Sequence, residues 1–95
     1  ILDFSTVEGN VSFYPNPFVE KLNIRITAEE DGELQLAVYD ISGRILMNRT
    51  ETVYKGLHIT EWNGKTAEGN ECETGIYLIH VTVDGKTTIL KVEKK

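Results

Sequence analysis

Few side chains in this sequence have the type and spacing that chemistry at a site requires. A cysteine nucleophile needs a nearby base that takes its proton. The chain offers one cysteine, Cys72, in a polar stretch, and two histidines, His58 and His80, in apolar stretches. We therefore predict an incidental thiol at Cys72 and two partly buried histidines. One cysteine also forms neither an intrachain disulfide nor a cysteine-based metal cluster.

The carboxylates do not form a recognisable cation site. An acidic cluster at residues 29–33 lacks the alternating oxygen ligands and the closing glutamate of a calcium loop. The two histidines lack the compact spacing of zinc ligands. A chain of 95 residues also leaves little room for a catalytic cleft. We predict a solvated acidic turn, no metal, no cofactor and no enzymatic activity in this domain.

The charge balance excludes several classes of partner. Fifteen acidic and ten basic residues give a net charge of −5, which lacks the basic footprint for nucleic acid or anionic lipid. No apolar run approaches the roughly 20 residues of a membrane-spanning helix, so we expect no membrane insertion. The chain begins at Ile1 rather than methionine, which favours a segment of a longer protein. Four lysines gather near the end of the chain: Lys86, Lys91, Lys94 and Lys95.

Seven short stretches read as β-strands: residues 22–27 and 33–40 alternate with the period of two, whereas residues 76–83 are apolar on both faces at first, as expected of a central strand. These stretches are residues 11–14, 22–27, 33–40, 44–47, 57–62, 76–83 and 87–92. No helical period occurs, and turn residues separate the stretches at short intervals. The pattern predicts an all-β fold, a seven-stranded antiparallel immunoglobulin-like β-sandwich. Residues 1–10 are predicted to be a linker or first edge segment, and residues 11–95 the domain.

The connections between strands carry specific turn signals. Asp84-Gly85 is a strong hairpin signal, and the turn at residues 40–43 combines an aspartate with a glycine. Pro15 and Pro17 remove two backbone donors, so the chain must leave the sheet as a rigid corner. We expect Phe18 to pack back on the core after this corner.

The stretch at residues 62–77 joins two inner strands. Trp62 at its start and Tyr77 at its end are predicted to pack inward. The polar loop between them, residues 65–74, has no strand or helix period, so we expect it on the surface.

Several of these features occur together in one known family. They are Tyr14-Pro15-Asn16-Pro17-Phe18, Leu22-Asn23-Ile24, Val38-Tyr39-Asp40-Ile41-Ser42-Gly43-Arg44, Trp62-Asn63-Gly64, Gly75-Ile76-Tyr77 and the closing Lys91-Val92-Glu93-Lys94-Lys95. In this order, over about residues 11–95, the sequence resembles the C-terminal sorting domain of the type IX secretion system of Bacteroidetes. The immunoglobulin-like domain of flagellar hook-capping proteins has a similar skeleton but lacks the proline corner together with the lysine-rich end.

The resemblance implies that the domain is the secretion signal of an N-terminal cargo, which is often an enzyme or adhesin. It implies a periplasmic stage, recognition by the type IX translocon, removal by a sortase-like peptidase, and a secreted or cell-surface product, in many cases attached to lipopolysaccharide. The residues expected to be recognised are Thr88, Ile89, Leu90, Lys91, Val92, Glu93, Lys94 and Lys95. Glu93 departs from the commonest family ending, which puts the contribution of positive charge in question.

Other family positions are interpreted as support for the fold. They are Pro15, Asn16, Pro17, Asp40, Gly43, Trp62, Gly64, Gly75 and Tyr77. Two further function classes stay open. A carbohydrate-binding or adhesive module predicts an exposed aromatic platform, for which Tyr14, Phe18, Tyr39, Tyr54 and Trp62 are the candidates. A structural spacer of a secreted enzyme predicts a large apolar face against its neighbour.

Overall fold

The computed structural model describes residues 11–95 and has seven antiparallel strands. The strands are β1 (Val11–Tyr14), β2 (Leu22–Ala28), β3 (Gly32–Asp40), β4 (Ile45–Val53), β5 (Gly56–Trp62), β6 (Gly75–Val83) and β7 (Lys86–Lys94). They form one sheet in the order β1-β2-β5 and a second in the order β4-β3-β6-β7. The predicted immunoglobulin-like sandwich is confirmed. The predicted linker or first edge segment at residues 1–10 lies outside the described residues.

The core lies between the two sheets because each strand turns alternate side chains inward. In β2 these are Leu22, Ile24 and Ile26, all without solvent exposure. From the second sheet, Leu36 and Ile79 face them and are equally buried. Burial of an aliphatic side chain contributes about 1.5–3 kcal/mol, so this shared interior is the main source of stability.

The fourth strand is longer than predicted. The sequence places a short strand at residues 44–47, whereas β4 continues to Val53 and pairs with β3 along its whole length. The polar residues that obscure the pattern include Arg49 and Glu51, which are half-buried. Both side chains point towards β5, where they find hydrogen-bond partners that the one-dimensional pattern does not show.

This polar cluster, defined as Arg49, Glu51, His58 and Thr60, closes the gap between β4 and β5, which share no backbone ladder. Arg49 Nη2 donates to Thr60 Oγ1 at 2.8 Å and to the backbone carbonyl of Glu61. Glu51 accepts from Arg49 Nε at 2.7 Å and from Thr60 Oγ1 at 2.6 Å. His58 Nε2 lies 2.8 Å from Glu51 Oε1.

The polar cluster makes stability sensitive to acid. Burial tends to raise the pKa of Glu51, but hydrogen bonds from Thr60, His58 and Arg49 outweigh it and lower the pKa below 4.5. A carboxyl group with a lowered folded-state pKa stabilises the fold above its unfolded pKa and loses that contribution as the pH falls through the folded value. We expect the unfolding midpoint of Glu51→Gln in urea to change less than that of the wild type between pH 6 and pH 3. Parallel curves for the two proteins over this range would contradict the expectation.

The two ends of the described chain lie at opposite ends of the sandwich. Val11 pairs with Ile26 near the end that carries the Asp84-Gly85 turn, since Glu29 N–H donates to Asp84 Oδ2 at 2.8 Å. We call this the proximal pole. At the other end, the distal pole, Lys94 pairs with Gly75 and forms a bridge with Phe18. Nine residues of β7 span roughly 30 Å between the two poles.

The predicted turn chemistry is confirmed. Asp84 and Gly85 have φ of 55° and 73°, the pair of positive angles that a two-residue hairpin turn of type I′ requires. At the distal pole, Asp40 Oδ1 accepts the backbone N–H groups of Ser42 and Arg44, each at 3.0 Å. These bonds, with that from the Ser42 hydroxyl first, lower the pKa of Asp40. In the described part of the chain no helix has the length and apolarity to cross a bilayer.

Candidate functional site

The last strand, β7, contains the predicted recognition residues and forms one edge of the four-stranded sheet. Its side chains alternate between the core and the outer face of this sheet. Those of Leu90, Val92 and Lys94 are buried, whereas Ile89, Lys91 and Lys95 are exposed and Thr88 and Glu93 are half-buried. The eight predicted recognition residues therefore divide into two sets. The core-facing side chains pack inside the sandwich, so only the outward-facing set is accessible to a partner.

The proline corner covers the end of this edge. Asn16 Oδ1 accepts the N–H of Glu93 at 2.9 Å. Phe18 donates its N–H to the Glu93 carbonyl at 2.9 Å and accepts the N–H of Lys95 at 2.8 Å. The Phe18 ring is fully buried, as predicted. The Asn16 side chain and the Phe18 backbone thus hold the final residues against the sandwich.

Lys94 is held inside the distal pole rather than extended into solvent. Its side chain is 7% exposed, and its Nζ lies 3.0 Å from Glu71 Oε2 in the loop after β5. The aliphatic part lies directly over Gly64, where an added Cβ would come within 2.7 Å of Lys94 Cε. A long charged side chain here buries its stem and neutralises its head at the rim. Lys94 is therefore not equivalent to the exposed Lys91 and Lys95.

An aromatic cluster of Phe18, Trp62 and Tyr77 supports the same pole. The centroid of the Trp62 ring lies 5.5 Å from that of Phe18 and 5.4 Å from that of Tyr77. Trp62 Nε1 donates to the Lys65 carbonyl at 3.0 Å, so its one polar atom is satisfied. The predicted inward packing of Trp62 and Tyr77 is confirmed, since both are buried.

The expectation that the whole loop at residues 65–74 lies on the surface is wrong for Cys72. Cys72 N–H donates to the Gly64 carbonyl at 2.9 Å, which folds the loop back and buries the thiol. Burial raises the pKa of this thiol, so it stays protonated and unreactive. Beside it lies an open pocket of about 320 Å³, whose lining is Asp40, Arg44, Leu46, Thr66, Glu71, Cys72, Glu73 and Tyr77.

The sequence matches a known family over most of its length. A family model described as the secretion system C-terminal sorting domain matches residues 12–95. The chain belongs to this family of type IX sorting domains. Its role is that of a C-terminal sorting signal. A sorting domain is not itself catalytic, and membership implies contact with the secretion machinery and a secreted or cell-surface fate.

Solved structures share the fold of this sorting domain. Dimeric latent PorU from Porphyromonas gingivalis matches with a TM-score of 0.70 and 24% identity, over 88% of this chain and 9% of that one. PorZ, a surface component of the type IX system of P. gingivalis, matches with a TM-score of 0.63 and 21% identity, over 92% and 12%. FlgD from P. aeruginosa matches with a TM-score of 0.57 and 22% identity, over 78% and 59%. The chain thus spans about a tenth of the first two proteins, and no curated protein sequence matches it.

The surface of the sorting domain bears on the alternatives raised by the sequence. Of the five aromatic side chains considered for a sugar platform, Phe18 and Trp62 are buried. Tyr14 and Tyr54 are 49% and 69% exposed but lie at the distal and proximal poles, so they do not form one platform. His58 and His80 are half-buried, as predicted. Within residues 11–95, no three His, Cys, Asp or Glu side chains are grouped to hold a metal ion.

One residue of the site was missed by sequence reasoning. Glu71 neutralises Lys94, but it sits in an irregular polar loop among other acidic residues, and nothing in the pattern distinguishes it. Asn16 was assigned to the family fold motif without a partner. Its bond to Glu93, 77 positions away, depends on the tertiary fold.

Proposed function

We propose that this sorting domain carries an N-terminal cargo through the periplasm to the type IX translocon, which recognises the exposed residues of β7 and the distal pole. A sortase-like peptidase then separates domain and cargo. The observation that carries the proposal is the placement of the chain ends. Val11, which follows the cargo in the chain, lies at the proximal pole, about one strand length from the C-terminal residues at the distal pole.

Two exposed lysines are the strongest candidates for electrostatic recognition. Lys91 and Lys95 are exposed, and among residues 11–95 neither forms a salt bridge. Lys94, in contrast, is already paired with Glu71. An unneutralised cation attracts an acidic partner at no cost to an existing pair. We therefore assign recognition to Lys91 and Lys95, with Ile89 beside Lys91, and a fold-supporting role to Leu90, Val92 and Lys94.

Charge reversal separates recognition from folding better than truncation. Removing residues 91–95 would also remove the buried Val92 and Lys94, so the domain would lose core contacts as well as charge. The test is a reporter fused to the domain that carries both Lys91→Glu and Lys95→Glu, in a host with a type IX system. We expect it to be secreted about tenfold less than the wild-type fusion, because the introduced glutamates would repel an acidic partner that the lysines attract. The measurement is reporter in the medium against reporter in the periplasm.

The matched control is Lys86→Glu at the proximal end of the same strand, where the side chain is also exposed. We expect its secretion to stay within about twofold of the wild type, since single surface substitutions alter stability little. Equal losses for Lys86→Glu and the double variant would indicate a general charge effect. Retention of the wild-type fusion in the periplasm would contradict the sorting role of this domain.

A further inference from the structure

The outer edge of β7 is partly open, and the open part can be located by hydrogen-bond alternation. The N–H of Glu93 and the N–H of Lys95 point away from β6, because Asn16 and Phe18 accept them. Successive residues of a strand direct their backbone groups to opposite sides. The backbone N–H and C=O groups of Ile89 and Lys91 therefore also point away from β6. In the described residues, no backbone or side-chain group bonds to them on this side.

Two neighbouring parts of the sandwich edges have hydrogen-bond partners. β4, the other edge of the same sheet, faces β5, and Arg49 of β4 donates to the Glu61 carbonyl of β5. The distal end of β7 is covered by Asn16 and Phe18. An exposed edge in a folded protein is a template for a strand from another chain unless a cover or a charge blocks it. Within residues 11–95, the segment 87–91 of β7 has an edge without a hydrogen-bonded cover and carries an exposed apolar side chain, Ile89.

The sheet face beside this edge carries aromatic and aliphatic side chains. Ile89, 44% exposed, lies in register with His80, and Lys91 lies in register with Leu78. Leu78 pairs in turn with Tyr39, whose ring lies 4.5 Å from that of His80. Leu78, His80 and Tyr39 are half-buried on the outer face of the sheet. A strand added beside β7 would extend this face and place every second side chain next to those of Ile89 and Lys91.

Charge identifies the kind of strand that fits. The chain carries a net charge of −5, yet the exposed charged side chains of β7 are lysines, Lys86 and Lys91. Lys91 has no carboxylate partner within residues 11–95. An edge lysine disfavours pairing with most strands but favours one that carries an acid opposite it.

Building on the proposed function, we infer that residues 87–91 form a docking edge, a strand edge to which a partner segment binds. An extended segment of the secretion machinery pairs with β7 as an additional strand, with an apolar side chain beside Ile89 and a carboxylate beside Lys91. Backbone hydrogen bonds hold such a segment, and the alternate side chains give it specificity. The domain thus offers a sheet edge of five residues rather than a flexible basic tail.

Amide exchange in the full chain tests the open edge. We expect the N–H groups of Ile89 and Lys91 to exchange at least about tenfold faster than those of Leu90 and Val92, which face β6. Slow exchange at Ile89 that becomes fast in a chain beginning at Val11 would show that residues 1–10 occupy the edge. That result would overturn the proposal, as would slow exchange in both proteins.

Secretion of reporter fusions tests the docking. Ile89→Pro removes an outward N–H that the fold does not use, and we expect about a tenfold loss of secretion with a cooperative thermal transition retained. Ile89→Thr keeps the N–H and the β-branch, and we expect about a threefold loss from the missing apolar contact. The matched control is Ile59→Thr on the exposed face of β5, which is 54% exposed and should secrete within about twofold of the wild type.

The outcomes separate this inference from the function on which it rests. If the wild-type fusion is secreted and Ile89→Pro, still folded, is secreted equally well, the docking edge is wrong and the sorting role stands. If Ile89→Pro no longer melts cooperatively, secretion of the Ile89→Thr fusion is compared with that of the Ile59→Thr fusion instead. Equal secretion of these two fusions overturns the docking edge. If the wild-type fusion stays in the periplasm, the proposed function fails first.

Discussion

Trp62→Ala is expected to lower the free energy of unfolding by about 3–5 kcal/mol, the usual cost of removing a buried aromatic side chain. Trp62 is 1% exposed and lies between the rings of Phe18 and Tyr77. The substitution leaves a cavity at the distal pole and removes the indole bond to the Lys65 carbonyl. A domain of this size has a total stability of only about 5–15 kcal/mol, so a large share would be lost.

Urea denaturation of the purified domain measures this loss as a shift of the unfolding midpoint. Tyr54→Ala is the control, because Tyr54 is 69% exposed and its truncation should change stability by less than about 0.5 kcal/mol. The buried-tryptophan interpretation would be wrong if the two variants unfolded at the same urea concentration. In that case the distal pole would owe its order to the hydrogen bonds that the Asn16 side chain and the Phe18 backbone make with β7 and Lys95.

Gly64→Ala is expected to cost about 2–3 kcal/mol, because two penalties combine at this position. Gly64 has φ of +75°, a left-handed conformation that costs a residue with a Cβ roughly 1–2 kcal/mol. The added methyl would also meet Lys94 Cε at 2.7 Å and the Phe18 ring at 3.5 Å. Lys94 would have to leave its place beside Glu71, which would loosen the C-terminal end of β7.

Gly69→Ala separates the two penalties. Gly69 has φ of +91° with nothing within 4 Å of an added Cβ, so the backbone cost alone applies there. We expect Gly64→Ala to be about 1 kcal/mol more destabilising than Gly69→Ala, and this difference to shrink in a Lys94→Ala background, as coupled neighbours do. Equal costs at the two glycines would show that Lys94 does not press on Gly64.

The stability of the distal pole is linked to secretion in the proposed sorting role. In the proposed sorting role, the exposed face of β7 is the part that another protein contacts, and Trp62, Gly64 and Lys94 hold that strand in place. Variants at Gly64 should therefore reduce secretion only as far as they loosen the end of β7. Charge reversal at Lys91 and Lys95 should reduce secretion while the urea midpoint stays near the wild-type value.

The sequence by itself determined the sandwich and its inner faces. Strict alternation in β2 assigns Leu22, Ile24 and Ile26 to the core, because a period of two allows only one inward face. The Asp84-Gly85 pair requires the hairpin that turns the chain into β7, since few other residues adopt two positive φ angles. The alternation pattern did not predict most of β4. Arg49 and Glu51 face inward there because β5 supplies hydrogen-bond partners for their charged groups.

The division of the last eight residues was decided by the tertiary structure alone. In the sequence, Lys91, Lys94 and Lys95 are three equivalent cations near an end. The fold buries Lys94 over Gly64 and pairs it with Glu71, and it closes the edge at Glu93 with Asn16 from the other end of the chain. These contacts join residues more than 20 positions apart, and local periodicity carries no information about such distances. Exposure of Lys91 and burial of Lys94 therefore follow from the packing of the two sheets.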